Sequence, residues 1–112
     1  MNESLLGFPA GQNTAEPVTG LGYGQTWQNV AGSRASGTTY YNTTGKPIAV
    51  SVRLDAVNSN AAGTIAVNGL TLVSADMANA TYDFTLYAII PVGASYIVTY
   101  ANVNLLVWAE LR

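Results

Sequence analysis

The chain contains no cysteine and no histidine. Lack of cysteine excludes a disulfide framework, a thiol nucleophile and a thiolate metal site. Lack of histidine removes the commonest general base and the commonest transition-metal ligand. Basic residues are few: Arg34, Lys46, Arg53 and Arg112 are scattered along a chain of net charge −2. Nucleic acids and anionic membranes select for clustered Lys and Arg, so neither is an expected partner. No stretch approaches the ~20 apolar residues of a membrane-spanning helix. The opening "MNESLLGFPAGQ" has no basic segment ahead of its short apolar run. It does not read as a secretory signal, which places synthesis in a cytoplasm.

Charge of either sign is scarce. Charged residues make up 9% of the 112 positions and hydrophobic residues 49%, whereas ordinary domains carry ~25% charge. Solubility must then rest on Asn, Thr, Ser, Gln and Gly, or copies of the chain must cover one another. The length corresponds to one domain.

What the sequence does have is alternation. Residues 1–20 are punctuated by Pro9, Gly11, Pro17 and Gly20 without any period and read as an arm or linker; residues 21–112 form the domain. Gly22 and Gly24 let the chain turn out of the arm, and Tyr23, Gln25, Trp27 and Gln28 are expected to dock a first strand. "PIAVSVRLD" sets Ile48, Val50, Val52 and Leu54 on one face and Ala49, Ser51, Arg53 and Asp55 on the other. In "TIAVNGLTLVS", Asn68-Gly69 predicts a two-residue type I′ turn pairing Val67 with Leu70 and Ile65 with Leu72. "TYDFTLYAII" alternates Tyr82, Phe84, Leu86, Ala88 and Ile90 against Asp83, Thr85, Tyr87 and Ile89; after residues 91–94, "SYIVTYA" reads as the second arm of a hairpin. The last run, "VNLLVWAELR", is apolar on both faces, with Leu106 and Trp108 opposite Val103, Leu105, Val107, Ala109 and Leu111. That suits a strand covered twice, once by the sandwich and once by a neighbouring subunit. "SADMANATY" is either one short helical turn or a loop. Short alternating strands with turn signals every ten or so residues describe an all-β fold, a small antiparallel β-sandwich or barrel, and the scarce charge with the doubly apolar last run points to self-association.

No spacing predicts a reactive pair among the carboxylates Glu3, Glu16, Asp55, Asp76, Asp83 and Glu110, although glycoside hydrolysis needs only two. "GLGYGQ" lacks the following helix that a phosphate loop needs. Asp55, Asn58, Asn60 and Asp76 have oxygen ligands suited to calcium but no recognised loop order, and read as turn residues. Asn42 and Asn79 sit in glycosylation-type triplets and likewise read as turn or strand residues. Neither a metal nor a cofactor is expected, and the chain is not read as an enzyme. Seven tyrosines against two phenylalanines favour rings with one wet end. Trp108, Phe84 and Tyr96 belong either to the core or to a subunit interface. Tyr23, Trp27, Tyr40 and Tyr41 stand between sheet filler and a recognition surface.

The run "GYGQTWQNVAGSRASGTTYYNTTGKPIAVSV", then "VNGLTLV", "IIPVGASYIV" and "WAELR", resembles the C-terminal tip domain of tailed-bacteriophage tail-fibre and related virion proteins. The resemblance spans roughly residues 21–112. It implies a small antiparallel, jelly-roll-like β-sandwich, a homotrimeric knob at the end of a fibre or needle that touches the host surface, with no catalytic residues to carry over. Tip domains usually follow a long shaft, whereas here only a short arm precedes, as in a fragment or a small standalone virion component. The implied partners are itself, other virion proteins and a bacterial surface glycan or protein. A structural cap, decoration or trimerisation domain, and a polysaccharide-degrading enzyme, are the alternatives. Receptor contact is expected on two loops, residues 55–63 and 74–81, through Asn58, Asn60, Asp76 and Asn79, or else on the pair Tyr40 and Tyr41. Leu106 and Trp108 are the expected subunit interface.

Overall fold

The computed structural model describes residues 20–77 and 83–112. Asn79 and Tyr82 lie outside them. Eight strands form two four-stranded antiparallel sheets: β1 (Trp27–Asn29), β2 (Thr39–Tyr41), β3 (Ile48–Ala56), β4 (Ala61–Val67), β5 (Leu70–Met77), β6 (Asp83–Ile90), β7 (Ser95–Ala101) and β8 (Val103–Leu111). One sheet has the order β1-β8-β3-β6, the other β2-β7-β4-β5. A single 3-10 turn, Ala31–Ser33, is the only helical element among the described residues.

The alternation in β3 and β6 sets the core. Ile48, Val50, Val52 and Leu54 are buried, as are Leu86, Ala88 and Ile90 on β6, and they face Ile65, Val67, Tyr96 and Val98 of the other sheet. β3 is hydrogen-bonded on both sides, by β6 and β8. Gly63 sits in the inward row of β4, where an added Cβ would lie 2.9 Å from Leu54 Cδ1 and 3.0 Å from Leu86 Cδ1. A side chain at this position would have to displace the leucines, so glycine fits.

The turn at Asn68-Gly69 has the two positive φ angles that a type I′ turn requires, 50° and 82°. Val67 pairs with Leu70 as expected, but the register shifts between Ile65 and Ala66, so Ile65 meets Val73 rather than Leu72. Leu72 is the extra residue of a bulge and is exposed, while Val73 and Ala75 pack on the core. Period-two counting from the turn misassigns everything beyond such an insertion. Ser74, Ala75, Asp76 and Met77 therefore belong to β5 rather than to the loop expected at residues 74–81, whose remainder lies outside the described residues. The loop expected at residues 55–63 likewise contracts to residues 57–60, because β3 and β4 both extend into it.

A second bulge revises the reading of β8. Leu54 pairs with Leu105 and Arg53 with Val107, leaving Leu106 as the inserted residue. Val103 and Leu105 pack on the core before it, and Trp108 and Glu110 are buried after it. The doubly apolar pattern is thus a change of phase within one strand. Trp108 is 0% exposed in the protomer's own core and has no surface for a neighbouring subunit, whereas Leu106 remains exposed.

The expected hairpin across residues 91–94 is also corrected. β6 and β7 lie in different sheets, so this connection crosses the sandwich. It is held from outside the hairpin logic: Asn42 N–H donates to Ala94 O at 2.9 Å, and Gly93 N–H donates to Asn42 O at 3.0 Å. Asn102, with φ of 59°, turns the chain from β7 into β8 across the other end.

Candidate functional site

The chain enters the fold at one end of the sandwich. Lys46 Nζ donates to Tyr23 O at 2.8 Å and Gln25 Nε2 to Pro47 O at 2.9 Å, beside the start of β3. Residues 91–94 and the Asn68-Gly69 turn share this entry end, since Ile48 pairs with Ile90 and Asn68 N–H donates to Ser95 O at 3.0 Å. Asn42 is buried here. Its Nδ2 donates to Lys46 O, Ile90 O and Pro91 O at 2.6, 3.0 and 3.2 Å, and its Oδ1 accepts from Thr44 N and Oγ1 at 3.1 and 2.7 Å. The amide is fully used in folding, in keeping with its reading as a turn residue.

Glu110 is the other buried polar group, 1% exposed. Arg34 embraces it with two bonds, Nε to Oε2 and Nη2 to Oε1, both 3.1 Å. Arg112 Nη1 donates to Oε1 at 2.7 Å, and the Tyr96 hydroxyl donates to Oε2. Trp108 Nε1 reaches the Tyr96 oxygen at 3.3 Å, and the Arg34 guanidinium stacks 4.6 Å over Tyr40. Burial alone pushes the Glu110 carboxyl up and the Arg34 guanidinium down. Their hydrogen bonds outweigh it, so Glu110 titrates below the usual carboxylate range and Arg34 above its ordinary value. Burial and the bond to Glu110 push the Tyr96 phenol up to about 12. With both oxygens filled, this carboxylate ties the two sheets together and has no free position for acid–base chemistry.

The far end differs. Ala61 pairs with Met77, so the strand ends bordering residues 57–60 and 78–82 lie together. Asn58 Oδ1 accepts from Asn60 N–H at 2.8 Å, closing a turn, and Val57 N–H donates to Asn102 O at 2.9 Å. Asn102 Nδ2 donates to Asn60 O at 3.1 Å, which fixes the turn against the β7–β8 corner. Asp76 is exposed opposite Ala62, on the outer side of the same end. On the other sheet Asp55 lies across from both Asp83 and Asn104. Two acidic residues directly opposite repel, and an exposed ion pair from Arg53 to Asp83 offsets this. Among the described residues no three carboxylates gather in one place.

Asn58, Asn60 and Asp76, three of the expected contact residues, therefore lie at the same end of the sandwich. Tyr40 and Tyr41 do not form a pair. Neighbouring strand residues point to opposite faces. Tyr40 packs edge-on to Trp108 with its hydroxyl accepting from Ala35 N–H at 2.8 Å, while Tyr41 is 66% exposed at the entry end. Sequence reasoning missed Asn102 and the Glu110 cluster. An asparagine between two strand patterns and a lone glutamate inside an apolar strand were the available signals. The far end offers exposed amides and carboxylates on a rigid frame, groups suited to binding hydroxyl-rich ligands. Comparison with known proteins returns no matching family model, no similar curated protein and no similar solved structure.

Proposed function

We propose that the chain is a non-catalytic bacteriophage virion module, a homotrimeric jelly-roll knob at the tip of a tail fibre or needle that binds host-surface glycan or protein. The strand order supports the jelly-roll part of this reading: every described connection except β4–β5 changes sheet. The observation that carries the functional part is the polarity of the two ends. The arm joins the fold at the end rich in exposed Leu70, Leu72, Tyr41 and Val92. Asn58, Asn60, Asn102 and Asp76 stand at the opposite end, where a module tethered by its arm meets its target first. The exposed apolar surface also favours a second reading, a virion cap, decoration or trimerisation domain that binds no receptor.

A pull-down on fixed bacterial cells, backed by a glycan array, tests the proposal. The wild-type protein is expected to bind, and a folded Asn60→Ala, Asp76→Ala variant is expected not to. A wild-type protein that binds neither cells nor glycans leaves the structural reading. Binding that decays with release of oligosaccharide makes it a polysaccharide-degrading enzyme.

A further inference from the structure

Asn68 continues the β4–β7 ladder one step past the end of β4. The register pairs Ile65 with Val98, Ala66 with Ile97 and Val67 with Tyr96, which sets Asn68 opposite Ser95. The main chain of Asn68 donates its N–H to Ser95 O at 3.0 Å. The return bond comes from the side chain: Oδ1 accepts from Ser95 N–H at 3.0 Å and from Ser95 Oγ at 3.4 Å. With φ of 50° the main chain turns away at this residue, and the side-chain carbonyl takes the place of the backbone one. Asn68 and Gly69 are both exposed, and a Cβ at Gly69 would meet no atom within 4 Å. They are also the one Asn-Gly pair of the sequence.

We propose that Asn68 is a site of spontaneous deamidation and that its bonds to Ser95 gate the reaction. The main-chain nitrogen of Gly69 gives its proton to solvent hydroxide and attacks Asn68 Cγ. A C–N bond forms, closing a five-membered imide, and the side-chain nitrogen leaves as ammonia with a proton from water. Water then opens the ring at either carbonyl, which yields aspartate or isoaspartate and adds one negative charge. Glycine favours the attack because no side chain crowds the approaching nitrogen. Ring closure requires that nitrogen to eclipse Asn68 Cβ, a ψ of about −120° at Asn68, the value found in a type II′ turn. The two positive φ angles place the folded turn in type I′, where the same ψ is about +30°. The Asn68–Gly69 peptide must therefore flip, and Oδ1 must leave Ser95 before Cγ can swing toward the nitrogen. The reactive state is an opened turn. Isoaspartate then routes the main chain through the former side chain and lengthens it by one methylene, so the rung to Ser95 cannot re-form as it was.

Peptide mapping by mass spectrometry tests both parts, on the full chain held at mildly alkaline pH either folded or in denaturant. The unfolded chain is expected to be modified at Asn68 ahead of its other asparagines. In the folded chain Asn68 should react at least about 5-fold more slowly, the factor that one ordinary hydrogen bond gives an opening equilibrium. Ser95→Pro removes both donors to Oδ1 and should raise the rate in the folded protein by a similar factor. If that variant fails to fold by circular dichroism, Asn68→Gly serves, because Gly-Gly also suits a type I′ turn. The Ser95 amide should then exchange its hydrogen roughly 5-fold faster or more in Asn68→Gly than in wild type. Reaction at another asparagine first overturns the site. Equal rates at Asn68 in folded and unfolded chains, an unchanged rate in folded Ser95→Pro, or unchanged exchange at Ser95 in Asn68→Gly overturns the gate.

Discussion

Asn42 and Asn58 begin connections at opposite ends of the sandwich and use the same local device. Each side-chain oxygen accepts from the backbone N–H two residues on, Thr44 at 3.1 Å and Asn60 at 2.8 Å. Their surroundings differ. Asn42 is 1% exposed and its amide nitrogen bonds three carbonyls, two of them nearly fifty residues away in sequence. Asn58 is exposed and closes only its own turn. At these two positions the entry end buries its asparagine as a long-range tie, and the far end displays its own. A polar group held inside by several partners is costly to remove, whereas one in solvent is not. Stability should concentrate at the entry end and recognition at the far end.

The largest break in that comparison is Glu110→Ala. It leaves Arg34 half-buried without its carboxylate and the Tyr96 hydroxyl without its acceptor. Removing one member of such a buried pair typically costs ~3–5 kcal/mol, which chemical denaturation would measure. The pH dependence follows from the same contacts. Glu110 titrates low in the folded state, so its contribution is present above the unfolded carboxyl range near ~4.3 and fades as pH falls through its depressed folded value. Tyr96 is raised to about 12, so its contribution is present below the unfolded phenol value near ~10 and fades between the two as pH rises. Glu110→Gln should flatten the acid limb. An unchanged acid limb would show that the carboxylate contributes nothing.

Asn42→Ala comes next, at about 2–3 kcal/mol, because three carbonyls and the Thr44 donors lose their partner together. A loss no larger than that of Asn58→Ala, compared by thermal unfolding, would erase the distinction between the two ends.

These contrasts mark how far the sequence could be read. Alternation in β3 and β6 is local, written in residues that choose their own face, and the buried rows are the ones the pattern predicts. The Asn68-Gly69 turn is local as well. The bulges at Leu72 and Leu106 are not, because an extra residue is set by what the opposing strand accepts. Residues 91–94 have the length of a hairpin loop, yet they cross to the other sheet, where the distant Asn42 bonds Gly93 and Ala94. Glu110 gains its partners from positions 76 and 14 residues away, which no spacing in the chain announces. At the far end, polarity alone points to Asn58, Asn60 and Asp76, and strand pairing sets them at one end of the sandwich. The ring of Tyr40 suggests a recognition surface, but Tyr40 packs against Trp108 and under the Arg34 guanidinium.

Gly69→Ala is a smaller perturbation at the entry end. An added Cβ meets no atom within 4 Å, so its cost is confined to the φ of 82°. Alanine resists that angle by about 1 kcal/mol. A neutral result in denaturant titration would mean that the turn relaxes to another type.

The smallest stability effect should come from Asn60→Ala, and it sharpens the comparison most. The main chain of Asn60 does the structural work: its N–H donates to Asn58 and its carbonyl accepts from Asn102, and both survive the substitution. The side chain is exposed, where loss of an amide usually stays within about 0.5 kcal/mol. Asn58→Ala is the control, since it opens the turn while leaving Asn60 in place. If the far end recognises a ligand, Asn60→Ala loses cell binding at wild-type stability, while Asn58→Ala loses some of both. If both variants bind as wild type in a folded protein, the displayed amides only solvate the turn. Recognition would then lie elsewhere on the surface, with Tyr41 the large exposed ring to test next.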